Sequence, residues 1–265
     1  MDASYYKGII NGFGASKRLG QSFLIDTTVA RAEAVHGAGK KVLEMGPGLG
    51  ILTAELSKVA KSVVAIEVDP RAYRFLMSVA GMPNVRIINS DFFRFDFSSI
   101  PRQDIMISNI PYSLSSKVIG WLASHRMHGV LCLQREFVEH MLARPGTESY
   151  SKLSVFSSLQ FSLSYIMDVQ PRCFYPEPRV SSSVIYLKPK GRKVSRAEKE
   201  MLSLIMEHKK KKLRNAIIDS EKALSITHEG AMRIADLVEH SNERPFMLPP
   251  EALLSAAKSL IKLLK

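Results

Sequence analysis

Glu44-Met45-Gly46-Pro47-Gly48-Leu49-Gly50 is the stretch on which the fold turns. It follows Lys41 to Met45, which reads as a strand, and precedes Ile51 to Val59, which has the apolar spacing of a helix. Glycines at such a junction let the backbone turn sharply and come close to a ligand at the helix N-terminus. The rhythm then repeats. Ser62 to Val68 reads as a strand, Pro70 to Ala80 as a helix and Val85 to Asn89 as a strand. Asp104 to Ser108 (strand), Ser115 to Ser124 (helix), Gly129 to Gln134 (strand) and Glu136 to Ala143 (helix) follow. Strands alternating with helices imply a mostly parallel sheet covered on both faces, a doubly wound α/β domain.

Working outward, residues 1 to 20 are polar and glycine-bearing, and a helix is expected to start after Asp26, a good N-cap, and stop at Gly37. Downstream the pattern changes after Arg144-Pro145-Gly146. Val155 to Met167 and Ser181 to Leu187 read as β segments, and the Gln170 to Pro178 connection is too short for a crossover helix. They are expected to pair antiparallel and close the sheet. From Lys188 onward the pattern is helical and basic, with 17 Lys and Arg against 10 Asp and Glu in residues 188 to 265. The chain is therefore divided into an α/β domain, residues 1–188, and a small basic helical domain, residues 189–265. Lys209 to Lys212 and Arg214 are placed on a helix, and Arg244 to Leu264 reads as a terminal helix after Pro249-Pro250.

The totals narrow the function. A hydrophobic fraction of 46% over 265 residues excludes a disordered chain, and a formal charge of +12 points to a polyanionic partner. RNA, DNA and an anionic membrane surface all satisfy that. Cys132 and Cys173 form no Cys-x-x-Cys pair and His228-Glu229 lacks a second histidine, so no metal is expected. Met1 to Gly12 has no signal-peptide core, and no apolar run approaches the roughly 18 residues that span a bilayer. A cytoplasmic protein without a membrane anchor is expected.

Glu67-Val68-Asp69 ends the second strand, and Glu67 stands 21 residues after Gly46, about the spacing at which an acid reaches a ribose diol. The dinucleotide fingerprint would need glycine at position 51, where Ile51 stands, and a phosphate-binding Gly-Lys-Ser/Thr is absent. Gly46 and Gly48 behind an acidic residue instead suit S-adenosylmethionine, which has no pyrophosphate to cradle. Ser90-Asp91-Phe92 ends the third strand, an acceptor beside an aromatic ring. Alone, Asp91 is a helix cap or turn residue; in register with Gly46 and Glu67 it suits the cofactor adenine.

Asn109-Ile110-Pro111-Tyr112 follows the next strand, at the end where open α/β sheets bind ligands. Alone it reads first as an ordinary turn. In this company it can hold a planar, amine-bearing ring such as adenine. The Asn109 side-chain oxygen and the Ile110 carbonyl would accept the two N–H bonds, Pro111 would hold the loop, and Tyr112 would stack on the ring.

Leu19-Gly20-Gln21-Ser22-Phe23-Leu24, Glu44 to Gly50, Glu67-Val68-Asp69, Asp91, Asn109 to Tyr112 with Ser115-Ser116, and Leu133-Gln134-Arg135-Glu136 form the first part of an ordered set. Lys152-Leu153-Ser154-Val155, Phe174-Tyr175-Pro176-Glu177-Pro178-Arg179-Val180 and Lys212-Leu213-Arg214-Asn215-Ala216 complete it. The set resembles the ribosomal RNA adenine N6-dimethyltransferases of the KsgA type over nearly the whole chain. The resemblance implies cofactor contacts at Ser22, Leu24, Gly46, Glu67, Asp91 and Asn109, with Gln21 nearby, and Phe174 opposite Tyr112 across the target base. It also implies dimethylation of two neighbouring adenosines near the 3′ end of small-subunit ribosomal RNA, with the small subunit or its precursor as partner. A monomer is expected, and Lys209, Lys210, Lys211, Lys212 and Arg214 are expected to meet RNA phosphates. Two positions depart from the pattern: Ser22 where the family has a larger polar residue, so its contact is expected to be shorter or water-bridged, and Ser90 where glycine is frequent. The competing readings are methylation of large-subunit ribosomal RNA, a ribosome-assembly factor, DNA adenine methylation and a nicotinamide oxidoreductase.

Overall fold

The computed structural model describes residues 3–16, 20–79 and 81–264; Leu19 of the first motif and Ala80 at a predicted helix end lie outside them. It begins with a helix absent from the sequence reading, α1 (Ala3–Phe13), which buries Tyr6 and Ile10, one helical turn apart, in the core that the sheet also uses. A two-residue strand, β1 (Phe23–Leu24), leads to α2 (Thr27–Ala34), whose cap is as expected: Asp26 Oδ1 accepts the N–H groups of Thr28 and Val29 at 2.8 and 3.4 Å. One 3₁₀ turn carries the chain on to Gly37.

The alternating part is then β2 (Lys41–Met45), α3 (Ile51–Val59), β3 (Ser62–Glu67), α4 (Pro70–Val79), β4 (Val85–Asn89), β5 (Ile105–Asn109), α5 (Ser115–His125), β6 (His128–Gln134) and α6 (Arg135–Leu142). Val42, Leu43, Ile105, Met106, Ile107, Val130 and Leu131 are fully buried, which is why these strands read as continuous apolar runs rather than alternating ones. Next come α7 (Lys152–Gln160), β7 (Phe161–Val169), β8 (Phe174–Tyr175) and β9 (Ser182–Pro189). The seven-stranded sheet has the order β4-β3-β2-β5-β6-β9-β7, with β4 to β6 parallel and β9 antiparallel to β6. β7 runs antiparallel to β9, since Lys190 N–H donates to Gln160 O while Ser183 Oγ donates to Asp168. Strand order reverses between β2 and β5, so a crevice opens beyond Met45 and Asn109, where doubly wound sheets hold ligands.

Three expectations need correction. Residues 155–160, read as the start of the β segment Val155 to Met167, belong to the helix α7, because Ser151 and Ser154 form a capping box and Val155 and Leu159 share one buried face. Lys209 to Lys212 are not on a helix. They form the turn between α8 (Arg196–Glu207) and α9 (Leu213–Asp219), where four successive like charges avoid helical stacking. After the short α10 (Glu221–Leu224) and α11 (His228–Leu237), the terminal helix α12 runs Pro250–Leu263 and does not begin at Arg244. Pro249 and Pro250 set its start, since proline is well placed in the first helical turn and forces its predecessor out of helical geometry.

By contacts the chain forms two compact units, one of Met1–Val138 with Leu163–Pro189 and one of Glu139–Ser162 with Lys190–Lys265. Residues 139–162 thus group with the C-terminal helices. The second unit has its own core, including Tyr150, Val155, Leu159, Leu202, Ile205, Leu213, Ile217, Leu253 and Leu260, and Tyr150 Oη donates to Leu248 O at 2.9 Å within it.

Candidate active site

A cleft of about 290 Å³ lies in the first unit beyond the carboxyl ends of β2, β3, β4 and β5. Gln21, Ser22, Leu24, Gly46, Gly48, Glu67, Asp91, Asn109, Ile110, Pro111, Tyr112 and Phe174 all line it. The sequence positions quoted for cofactor and base are therefore brought together in one place. The lysine turn and Arg214 belong to the other unit.

The floor is the glycine loop. Gly46, Gly48 and Gly50 all have positive φ, 66°, 59° and 81°. A Cβ on Gly48 would come within 2.8 Å of the Phe23 ring, and one on Gly50 would collide with Leu76, whereas one on Gly46 would meet nothing within 4 Å. Gly48 and Gly50 are confined by packing, and Gly46 leaves open space for a ligand. Glu67, 3% exposed, turns back to the loop: Oε2 accepts Gly48 N–H at 3.0 Å and Oε1 accepts Asp69 N–H at 2.8 Å. Burial pushes its carboxyl above the usual range, against the pull of those backbone donors.

Asp69 is tied further. It accepts Arg71 Nη2 at 2.7 Å, Arg71 Nε at 3.0 Å and Gln21 Nε2 at 2.9 Å, and the Arg71 guanidinium holds its carboxyl far below the usual range. Gln21 uses its other end as well, Oε1 accepting Ser16 N–H at 2.8 Å, so its side chain links Ser16 to Asp69 at the end of β3. Ser22 Oγ donates to Pro176 O at 2.6 Å. Asp91 caps the 3₁₀ turn Phe92–Arg94 through Phe93 N–H at 2.8 Å, with its side chain still 48% exposed. Phe92 and Phe93 line the cleft beside it, and Lys117 Nζ sits 3.8 Å from the Phe93 ring centroid.

The opposite wall is built on β5. Asn109 Nδ2 donates to Glu33 Oε2 at 2.9 Å, and Asn109 Oδ1 is buried with no partner. Tyr112 is fixed by its hydroxyl, 2.6 Å from Ser182 Oγ, and by its carbonyl, which accepts Ser115 Oγ at 2.8 Å. Burial pushes the Tyr112 phenol up, so it stays protonated. Phe174 is 4% exposed and reaches the cleft because β8 pairs with β1, Leu24 opposite Phe174. Glu44, behind the loop, accepts Thr53 Oγ1 at 2.8 Å, and burial raises it to about 8.

Two contributors escaped the sequence reading. Lys117 carries no local signal. Glu33 does: Asp26 as cap puts Val29, Ala30, Glu33 and Ala34 on one face of α2, so the acid falls in an apolar stripe.

In the second unit Lys209 Nζ donates to the carbonyls of Glu148 and Tyr150, Lys211 pairs with Asp219 at 2.6 Å and Arg214 with Asp236 at 2.6 Å. Lys210, Lys211 and Lys212 are exposed. Among the described residues no helix is long and apolar enough to cross a membrane.

The residues present fit S-adenosylmethionine. They supply the open space over Gly46, acids at the ends of β3 and β4 able to accept hydroxyl and amine donors, and an unpaired acceptor at the end of β5. Fold, cleft and family match together define the class, an S-adenosylmethionine-dependent methyltransferase. The comparisons refine it. The sequence profile described as Ribosomal RNA adenine dimethylase matches residues 12–245. A probable ribosomal RNA small subunit methyltransferase A from Thermococcus gammatolerans is 34% identical over 247 residues, 90% of this chain and 87% of the relative. Its counterpart from Methanothermobacter thermautotrophicus is 34% identical over 256 residues, 94% and 92% of the two chains. The crystal structure of a dimethyladenosine transferase from Plasmodium falciparum superposes with a TM-score of 0.78 at 24% identity, covering 91% of this chain and 98% of that one. That of the 23S rRNA methyltransferase ErmE gives 0.61 at 22% identity, covering 90% and 99%. The chain belongs to the ribosomal RNA adenine dimethylase family. It is an enzyme, a ribosomal RNA adenine dimethyltransferase that uses S-adenosylmethionine.

Proposed function

We propose that this chain dimethylates two adjacent adenosines near the 3′ end of small-subunit ribosomal RNA, on the subunit or its precursor, working as a cytoplasmic monomer. The observation that carries the site assignment is the buried, unpartnered Asn109 Oδ1 at the end of β5. A buried acceptor without a donor is costly unless a ligand completes it. The exocyclic amine of adenine is a poor nucleophile because its lone pair is delocalised into the ring. Asn109 Oδ1 and the Ile110 carbonyl accept its two N–H bonds, which favours a pyramidal nitrogen with its lone pair directed across the cleft. When bound, S-adenosylmethionine supplies a methyl group made electrophilic by the sulfonium. The protein's part is then positioning and electrostatics, with no dedicated strong base.

Tyr112 and Phe174 stack on the two faces of the base. Each contributes on the order of 1–3 kcal/mol, which offsets much of the few kcal/mol lost when the base leaves its stack. Glu67 orients the ribose and Asp91 the adenine of the cofactor; Gly46, Gly48, Ser22 and Leu24 complete that wall, and Gln21 supports it from behind. Residues 189–265 serve as the RNA-gripping part. Lys209, Lys210, Lys211, Lys212 and Arg214 meet phosphates there, the exposed Lys210, Lys211 and Lys212 foremost, so binding should weaken steeply with salt.

The test is methyl transfer from labelled S-adenosylmethionine to purified small and large ribosomal subunits that lack adenine dimethylation. Nucleosides from the product RNA are analysed by mass spectrometry. Dimethyladenosine in small-subunit RNA is expected; dimethyladenosine confined to the large subunit would overturn the substrate assignment.

A further inference from the structure

Glu33 is an uncommon residue for its place. It is 1% exposed, flanked on α2 by Val29, Ala30 and Ala34 of the hydrophobic core, and Oε1 has no partner. Its hydrogen bond is the one to Asn109 Nδ2. A carboxyl in such a place weakens a fold that an apolar side chain would strengthen, so packing does not explain it. Its partner does. A primary amide can rotate by half a turn and exchange its donor with its acceptor, and only one of the two orientations leaves Asn109 Oδ1 unengaged.

We propose that Glu33 is a positioning residue for methyl transfer: its carboxylate holds Asn109 Nδ2 and thereby reserves Oδ1 for the amine of the target adenine. An ionised Glu33 accepts a charge-assisted bond from Nδ2 and repels Oδ1, so a single amide orientation survives. The same bond polarises the amide and makes Oδ1 a better acceptor. A neutral Glu33 can instead donate its proton to Oδ1 in the reversed orientation, and the NH2 group then points where an acceptor is needed.

The surroundings make this state sensitive to pH. Asn109 faces Glu33 from β5, Glu44 from β2 and Cys132 from β6; Glu44 feels the charges of Glu33 and Glu67, and Cys132 that of Glu33. None of these is a cation. Burial therefore raises Glu33 to about 8, and burial also keeps Cys132 a thiol. Above the titration of Glu33 the productive orientation is fixed; below it the orientation is shared with the reversed one, and transfer falls with the ionised fraction.

This inference rests on Asn109 as the acceptor, and the experiment separates the two. Single-turnover transfer to undermethylated small subunits is measured from pH 6 to 9.5 for the wild type, Glu33→Gln, Glu33→Ala and Asn109→Ala, with S-adenosylmethionine affinity measured by calorimetry in parallel. The wild-type rate should climb through pH 8 towards a plateau, by up to about tenfold per unit on the acid side. Glu33→Gln, isosteric and without charge, should flatten the profile and lower the plateau about 3- to 10-fold, with cofactor affinity unchanged, because an amide polarises its partner less than a carboxylate does. Glu33→Ala should do the same more strongly. A flat wild-type profile, or a Glu33→Gln enzyme that keeps the wild-type rise, would overturn the role of Glu33. So would parallel losses of rate and cofactor affinity without a change in profile shape. An Asn109→Ala enzyme that still transfers at the wild-type rate would instead remove the acceptor reading itself.

Discussion

The carboxyl ends of β3 and β5 lie in the same cleft and are finished in opposite ways. At β3 all four carboxylate oxygens of Glu67 and Asp69 are met, by the N–H groups of Gly48, Asp69 and Arg71 and the side chains of Arg71 and Gln21. At β5, Glu33 and Asn109 share one bond, and each keeps a buried oxygen without a partner. The β3 end is thus complete before any ligand arrives, while the β5 end carries an unmet demand. Preorganised donors and acceptors of the second kind are those whose full strength is realised only with the reacting group in place. Under the proposed function, the contrast separates holding the cofactor from activating the base.

Asn109→Ala should break the contrast most severely. Transfer is expected to fall about 10²–10³-fold, the usual loss for one preorganised polar group, with cofactor affinity changing far less. Single-turnover kinetics beside calorimetry reads both quantities. Tyr112→Ala comes next, with a loss of about 10- to 100-fold in transfer, corresponding to roughly 1–3 kcal/mol of stacking. Equal losses in transfer and in cofactor binding would contradict a base-stacking role. Glu67→Ala should act on the other side of the comparison: cofactor affinity falls about tenfold, as for one hydrogen bond to a charged group, and the Gly48 and Asp69 N–H groups lose their acceptor. Unchanged affinity in calorimetry would exclude the ribose contact.

A separate effect is on stability against pH. Burial raises Glu33 and Glu44 to about 8 from an ordinary value of 4.5, so between those limits the folded chain holds protons that the unfolded chain has lost. Stability therefore declines as pH rises across that window, by at most roughly 1 to 1.5 kcal/mol per unit for each carboxyl. Glu33→Gln should remove its share, which thermal melts between pH 5 and 8 would register as a shallower slope.

Much of this arrangement was legible in the sequence, and the gaps have physical causes. Parallel strands buried on both faces announce themselves as apolar runs, and the residues that end them, Gly46, Glu67, Asp91 and Asn109, fall in one cleft because the sheet's strands share a direction. Residues 155–160 resemble a strand because Val155 and Phe156 are β-prone and run on into Phe161, and the capping box of Ser151 and Ser154 uses hydroxyls where a Glu or Gln is the usual signal. In α1, Gly8 and Gly12 mask the spacing of Tyr6 and Ile10. Strands of two residues, β1 and β8, are too short to have a period. Glu33 was overlooked because a glutamate on a short helix is ordinarily a solvated one.

The pairing of β1 with β8 joins residues 23 and 24 to residues 174 and 175. Phe23 packs under Gly48 and Phe174 lines the same cleft, so one part of its lining is assembled from segments about 150 positions apart in the chain. Closing so long a loop is entropically slow and yields little until both ends have docked. On a translating ribosome the glycine loop and the Asn109 turn therefore emerge well before the segment around Phe174 that completes the lining. The enzyme gains its binding site only late in its own synthesis, once the segment around Phe174 has joined the strand made near the start.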